Sequence, residues 1–211
     1  MKSGTKQVIY VFIVILFSYN LRFDNELKRI DNPTEIISRI KTKAKSINTF
    51  KCNFRLNIND KLSNNDNNQN GIFYFKKENS LKWSFSSNEK KIIIHKNKAK
   101  IIENNIVDDY LMEADPYFNL INLIIIDVFS GDILSSKKYK KSYFKNNTTY
   151  ILQYIPLDNS TSDLIQSIEM SFNKIDHGIL KIKVISNSEN QTVEFSQRYI
   201  NVLMDKSTFK Y

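Results

Sequence analysis

The chain has 211 residues, 41% hydrophobic and 25% charged, with a formal net charge of +9. That suits one packed domain with a terminal extension. A single cysteine, Cys52, excludes an intramolecular disulfide and a CxxC site, and four glycines leave no Gly-rich phosphate loop. The basic excess is spread over the whole chain, not gathered into a patch, which argues against a dedicated nucleic-acid binder.

Residues 1–19 read as a secretory signal: Lys2 and Lys6 precede an unbroken apolar run from Val8 to Phe17. That run is short for a membrane span. The following Ser18-Tyr-Asn20 offers no clear small-x-small cleavage site, so an uncleaved anchor stays open. No cysteine follows to carry a lipid. Residues 20–211 then form one domain.

Asp24 to Asn48 is predicted as helix, with Asn32-Pro33 and Glu35 as start signals and Ile36, Ile37, Ile40, Ala44 and Ile47 on one face. Phe50 to Ile58 alternates strictly, placing Phe50, Cys52, Phe54, Leu56 and Ile58 on the apolar side of a strand. The polar stretch Asn57 to Asn70 is expected to be loop or a frayed hairpin tip. Strands are predicted at Ile72–Lys76, Leu81–Ser86, Lys91–His95 and Ala99–Ile102, a meander with short turns. A second helix, Tyr117 to Phe129, carries only Asn119, Asn122 and Asp127 as polar residues, so it is buried on most sides or closes over an apolar surface. After Gly131 come strands at Tyr139–Phe144, Tyr150–Leu157, Ile165–Phe172, Ile179–Ser186 and Thr192–Phe195. Within the fourth, Leu180, Ile182 and Val184 alternate with Lys181 and Lys183; a last strand is expected at Tyr199–Met204 with a tail to Tyr211.

Catalytic equipment is sparse. His95 falls in a strand and His177 in an Asp-His-Gly turn, Asp108 and Asp109 fall in loops, and neither GxSxG nor HExxH occurs. Cys52 reads as a small buried hydrophobe. These residues predict neither an enzyme nor a metal or cofactor site. The element order predicts an α+β protein, a curved antiparallel sheet covered by helices; an under-filled interior, if present, would hold an apolar ligand.

From about Asp31 to Tyr211 the chain resembles the LolA type of periplasmic outer-membrane lipoprotein carriers. The likeness is carried by the helix leading into Phe50-x-x-x-Phe54, by Gly71-x-Phe-x-Phe-Lys-Lys77, and by Leu81-x-Trp83. It continues through Ser130-Gly131-Asp132 after the second helix, Leu152-Gln-Tyr-Ile-Pro156, Thr192-Val-Glu-Phe-Ser196, Asn201 and Phe209. The resemblance implies an unclosed half β-barrel with a lid of helices, sheltering lipoprotein acyl chains between the two membranes. Two departures stand out: Lys77 and Glu78 where the family often has arginine then proline, and Leu81 where it has an aromatic.

On that resemblance, Phe50, Cys52, Phe54, Leu56, Phe73, Phe75, Leu81 and Trp83 line the acyl-chain cavity. Tyr117, Leu120, Ile121, Ile124 and Ile125 line the lid, and Lys77 is the candidate lid latch. The implied partners are acylated lipoproteins as cargo, an inner-membrane lipoprotein-releasing ABC transporter and an outer-membrane receptor, met by a periplasmic monomer. Two alternatives remain. The same half-barrel could bind another lipid or act as an envelope-stress sensor, or a basic protein could coat anionic membrane or nucleic acid.

Overall fold

The computed structural model describes residues 26–63, 65–77, 80–87, 89–95, 98–110, 115–205 and 207–210. The expected signal segment, residues 1–19, lies outside them.

Among the described residues the chain forms one twelve-stranded antiparallel sheet and three helices. The strands are β1 (Lys28–Arg29), β2 (Thr49–Asp60), β3 (Asn65–Lys76), β4 (Ser80–Phe85), β5 (Lys91–His95), β6 (Lys98–Glu103) and β7 (Ile106–Tyr110). They continue as β8 (Tyr139–Lys145), β9 (Thr149–Pro156), β10 (Ser167–Asn173), β11 (Ile179–Ile185) and β12 (Glu189–Ile200). The helices are α1 (Thr34–Lys45), α2 (Pro116–Ser130) and the single turn α3 (Asn159–Ser162). The order across the sheet is β1-β8-β9-β10-β11-β12-β2-β3-β4-β5-β6-β7. β1 and β7 do not pair, so the barrel is open, as the α+β half-barrel expectation required.

This order explains the lid. The chain reaches one edge at β7 and resumes at β8, near the opposite edge. The connection must cross the sheet, and α2 makes the crossing: its 15 residues span about 22 Å. The Asp115 side chain caps its start by accepting the Phe118 amide, and Pro116 needs no hydrogen-bond partner there. Gly131, at φ 80°, ends it in the left-handed conformation, and a Cβ at that point would sit 3.0 Å from the Ala44 methyl of α1. The two helices meet at this small pair.

Several boundaries differ from the sequence expectation. α1 begins at Thr34, not Asp24, because proline disfavours helix in the residue before it; Lys28–Arg29 pairs with Phe144 and Lys145 of β8 instead. The asparagine-rich stretch is mostly strand. β2 and β3 stay paired to Asp60↔Asn65, with cross-strand side-chain bonds Asn57–Asn68 (3.0 Å) and Asn59–Asp66 (2.7 Å). β12 flanks β2 along the same length, to Glu189↔Asp60. Asp108 and Asp109 lie on edge strand β7, where Lys100 meets Asp109 at 3.1 Å. A bulge in the β10–β11 pairing gives Ile179, not Leu180, the place opposite Phe172.

The last strand ends at Ile200. Asn201, at φ 57°, turns the chain out, and its side chain binds the α1–β2 junction. Its Oδ1 accepts from the Asn48 amide (2.7 Å) and its Nδ2 donates to the Ser46 carbonyl (2.9 Å).

The apolar face of the sheet and the inner faces of α1 and α2 form one core. Phe129 of α2 is its hub, with ring centroids 4.9 Å from Phe50, 5.2 Å from Phe73, 5.2 Å from Phe75 and 5.6 Å from Phe195. Gly71 admits no side chain: a Cβ there would lie 1.9 Å from the Ser84 carbonyl oxygen.

Candidate ligand cavity

The inner surface has two halves. Around Phe129 it is packed solid; toward the N-terminal end of α2 it is hollow. The hollow is a cavity of about 400 Å³. From the first meander its wall is Leu56, Ile58, Trp83, Phe85, Ile92 and Ile101. Ile182, Val184 and Val193 face them from β11 and β12, and α2 contributes Tyr117, Phe118, Ile121 and Ile125. These positions follow from alternation. Leu56 and Ile58 continue the inward phase of Phe50, Cys52 and Phe54, and Trp83 and Phe85 continue that of Leu81.

Of the residues picked from sequence, Leu56, Trp83, Tyr117, Ile121 and Ile125 line this cavity. Phe50, Cys52, Phe54, Phe73, Phe75 and Leu81 are buried beside it, in the solid half of the core. Ile124 is buried in that core and Leu120 packs against it half-exposed. Trp83 joins the two halves, its ring 4.9 Å from Phe54 and 4.4 Å from Phe73. Lys77 is exposed and reaches α1, its Nζ 3.5 Å from the Lys45 carbonyl oxygen at the helix C-terminus.

The sequence reading missed the β11 and β12 wall. Its signal was present in the one-sided alternation of Ile182 and Val184, but not the pairing that brings β12 against β2. It also grouped Asn122 with Asn119 and Asp127 as the polar residues of the second helix, the side expected to face water. Asn122 is 3% exposed and lines the cavity, its Nδ2 donating to the Phe118 carbonyl (2.7 Å), while Leu123 takes the solvent.

A few polar groups interrupt the apolar wall: Gln69, Lys90, Asp115, Asn122, Glu189 and Gln191. Asp115 Oδ2 accepts the Tyr110 hydroxyl (3.0 Å), and Glu189 Oε1 accepts Gln191 Nε2 (2.6 Å). The Tyr117 hydroxyl is buried without a hydrogen-bond partner. Ser186 and Glu189 are its nearest polar neighbours; burial, then the Glu189 charge, pushes its pKa up. Burial likewise pushes the Cys52 thiol up. The Ser80 hydroxyl meets His95 Nδ1 at 2.7 Å, but neither residue lines the cavity. Among the described residues no three His, Cys, Asp or Glu side chains gather to hold a metal. The cavity can bury an apolar body and hydrogen-bond a polar end.

An open half-barrel with a helix laid over an apolar hollow defines a binding fold for greasy ligands. The family model described as outer membrane lipoprotein carrier protein LolA matches residues 45–211, and the chain belongs to that family. Membership points to lipid or lipoprotein binding.

Among solved structures, a DUF1329 family protein from Desulfovibrio piger aligns with TM-score 0.50 and 10% identity, covering 85% of this chain and 98% of that one. MucB aligns with TM-score 0.50 and 11% identity over 84% of this chain and 62% of MucB. A LolA superfamily protein from Nitrosomonas europaea aligns at 13% identity and TM-score 0.41, covering 83% and 97%. At such identities the first two support the fold alone. No curated protein matches the chain by sequence. Among the described residues no helix is long and apolar enough to cross a membrane.

Proposed function

We propose that this protein is a periplasmic carrier of acylated lipoproteins, exported by residues 1–19 and working as a monomer. It takes cargo from a lipoprotein-releasing ABC transporter in the inner membrane and yields it to a receptor or to the outer membrane itself. The observation that carries this reading is the apolar cavity of about 400 Å³ beneath α2.

The physical need is plain. A chain of about 16 carbons gains on the order of 12 kcal/mol by leaving water, at ~0.8 kcal/mol per methylene. Such a chain does not cross an aqueous space unaided. Ligand cavities run from about 300 to 1,000 Å³, so this one suits a single acyl chain as it stands. Lifting α2 would withdraw Phe129 and uncover Phe50, Cys52, Phe54, Phe73, Phe75 and Leu81 as further floor, with Leu120 and Ile124 on the raised side. Lys77 holds α1 in place as the latch at the other end of the lid. No nucleophile, metal or cofactor is needed.

Mass spectrometry of the protein purified from its native compartment tests the proposal. Copurified acylated lipoprotein is expected; phospholipid alone would overturn it in favour of a lipid-binding relative.

A further inference from the structure

Besides the donor-bearing Lys90, Gln69 and Gln191, three groups at the cavity, Asn122, Glu189 and Tyr117, have acceptor capacity to spare. Asn122 is 3% exposed, and because its Nδ2 is fixed on the Phe118 carbonyl, Oδ1 is the atom left for the cavity. Glu189 spends one carboxylate oxygen on Gln191 and forms no ion pair within 4 Å among the described residues. The Tyr117 oxygen is buried and unpartnered. The neighbouring Ser186 hydroxyl is engaged with the backbone of Glu189 (2.9 and 3.0 Å). Asp115 is already occupied by Tyr110 and the Phe118 amide.

Buried polar groups are rarely left unmatched, and the half-buried Glu189 carboxylate, set beside apolar walls, attracts a cation. The chain has a large cationic surplus, yet among the described residues none of it is bonded to Glu189. We propose that the cavity selects a ligand carrying a protonated primary amine beside its acyl chain. Its three N–H donors are received by Glu189, Tyr117 Oη and Asn122 Oδ1, while the chain lies along Ile121, Ile125 and Trp83. An alcohol or an ester offers one donor or none, and a carboxylate head meets Glu189 with like charge. Lys90, the one cation in the lining, is the group that would favour the opposite choice.

This inference rests on the carrier reading and names its ligand more closely. The amine has two sources: the free N-terminus of an acylated peptide, or an aminophospholipid head.

The test is a fluorescence titration of the full chain at pH 7, read at Trp83, with dodecylamine, dodecanol and dodecanoate below their aggregation concentrations. The amine should bind about tenfold more tightly than the alcohol, as expected of a hydrogen-bonded charge. In Glu189→Gln and Tyr117→Phe the amine-to-alcohol ratio should fall toward one. Equal binding of amine and alcohol to the unaltered protein, or tighter binding of dodecanoate, overturns the inference and leaves the carrier reading standing. Failure of all three probes to bind overturns both. A dipalmitoylated cysteinyl peptide, with its amine free or acetylated, is then compared with phosphatidylethanolamine and phosphatidylcholine vesicles. A free-amine preference assigns the peptide terminus as source, and extraction of phosphatidylethanolamine alone assigns the lipid head. No preference in either pair overturns the amine assignment.

Discussion

Tyr110 donates its hydroxyl to Asp115 Oδ2 across 3.0 Å, while the other oxygen of the same carboxylate receives the Phe118 amide at 2.9 Å. One side chain thus caps the lid helix and ties its first turn to edge strand β7. Asp115→Ala should lose both interactions, about 2 kcal/mol together, and Tyr110→Phe about 1 kcal/mol. Native-state hydrogen exchange over residues 116–122 should speed up in both. Unchanged exchange in Asp115→Ala would remove this tie from the account of the lid.

The two halves of the interior should answer truncation differently. Phe129 touches four other rings, so Phe129→Ala should cost about 3–5 kcal/mol in urea unfolding. Ile121 already borders empty space, and Ile121→Ala should cost about 1–2 kcal/mol, near the low end of buried truncations. Equal losses would mean that the hollow is filled in solution.

Trp83 is the only tryptophan and lines the cavity. A bromine-bearing acyl chain should therefore quench its emission, and an unbrominated chain of equal length should not. Quenching that is absent at saturating ligand would place the chain elsewhere.

Burial, and then the charge of Asp132, raise the Asp127 carboxyl above its ordinary range, partly offset by Lys138. A raised folded value means that its contribution is fully present below the unfolded pKa. It is lost as pH climbs through the folded one, and the ionised form is the strained one. Asp127→Asn should accordingly raise the melting temperature at pH 7 and change it little at pH 3. The same shift at both values would exclude an electrostatic cause.

How far sequence reasoning reached depended on how local the cause was. The alternation from Phe50 to Ile58 announces its strand and its inward face, and the lid helix is plain in the run from Tyr117 to Phe129. The Asn57–Asn70 hairpin is not, because its residues have poor strand preference and are held by pairing with each other and with β12, distant in sequence. Residues 106–110 failed likewise: an edge strand, exposed apart from half-buried Tyr110, carries little hydrophobic alternation. In the cavity, Leu56 and Trp83 follow from phase alone. Ile182, Val184, Glu189 and Gln191 require the knowledge that β12 closes onto β2, which no short-range pattern encodes.

Because β1 and β7 stay apart, the sheet has no hoop of hydrogen bonds to fix its girth. It can tighten or relax its bend while every ladder bond is kept, so the room inside is set by side-chain contacts between α2 and the strands. A bulkier guest would call for unbending at the seam, at the cost of lid packing and not of backbone structure.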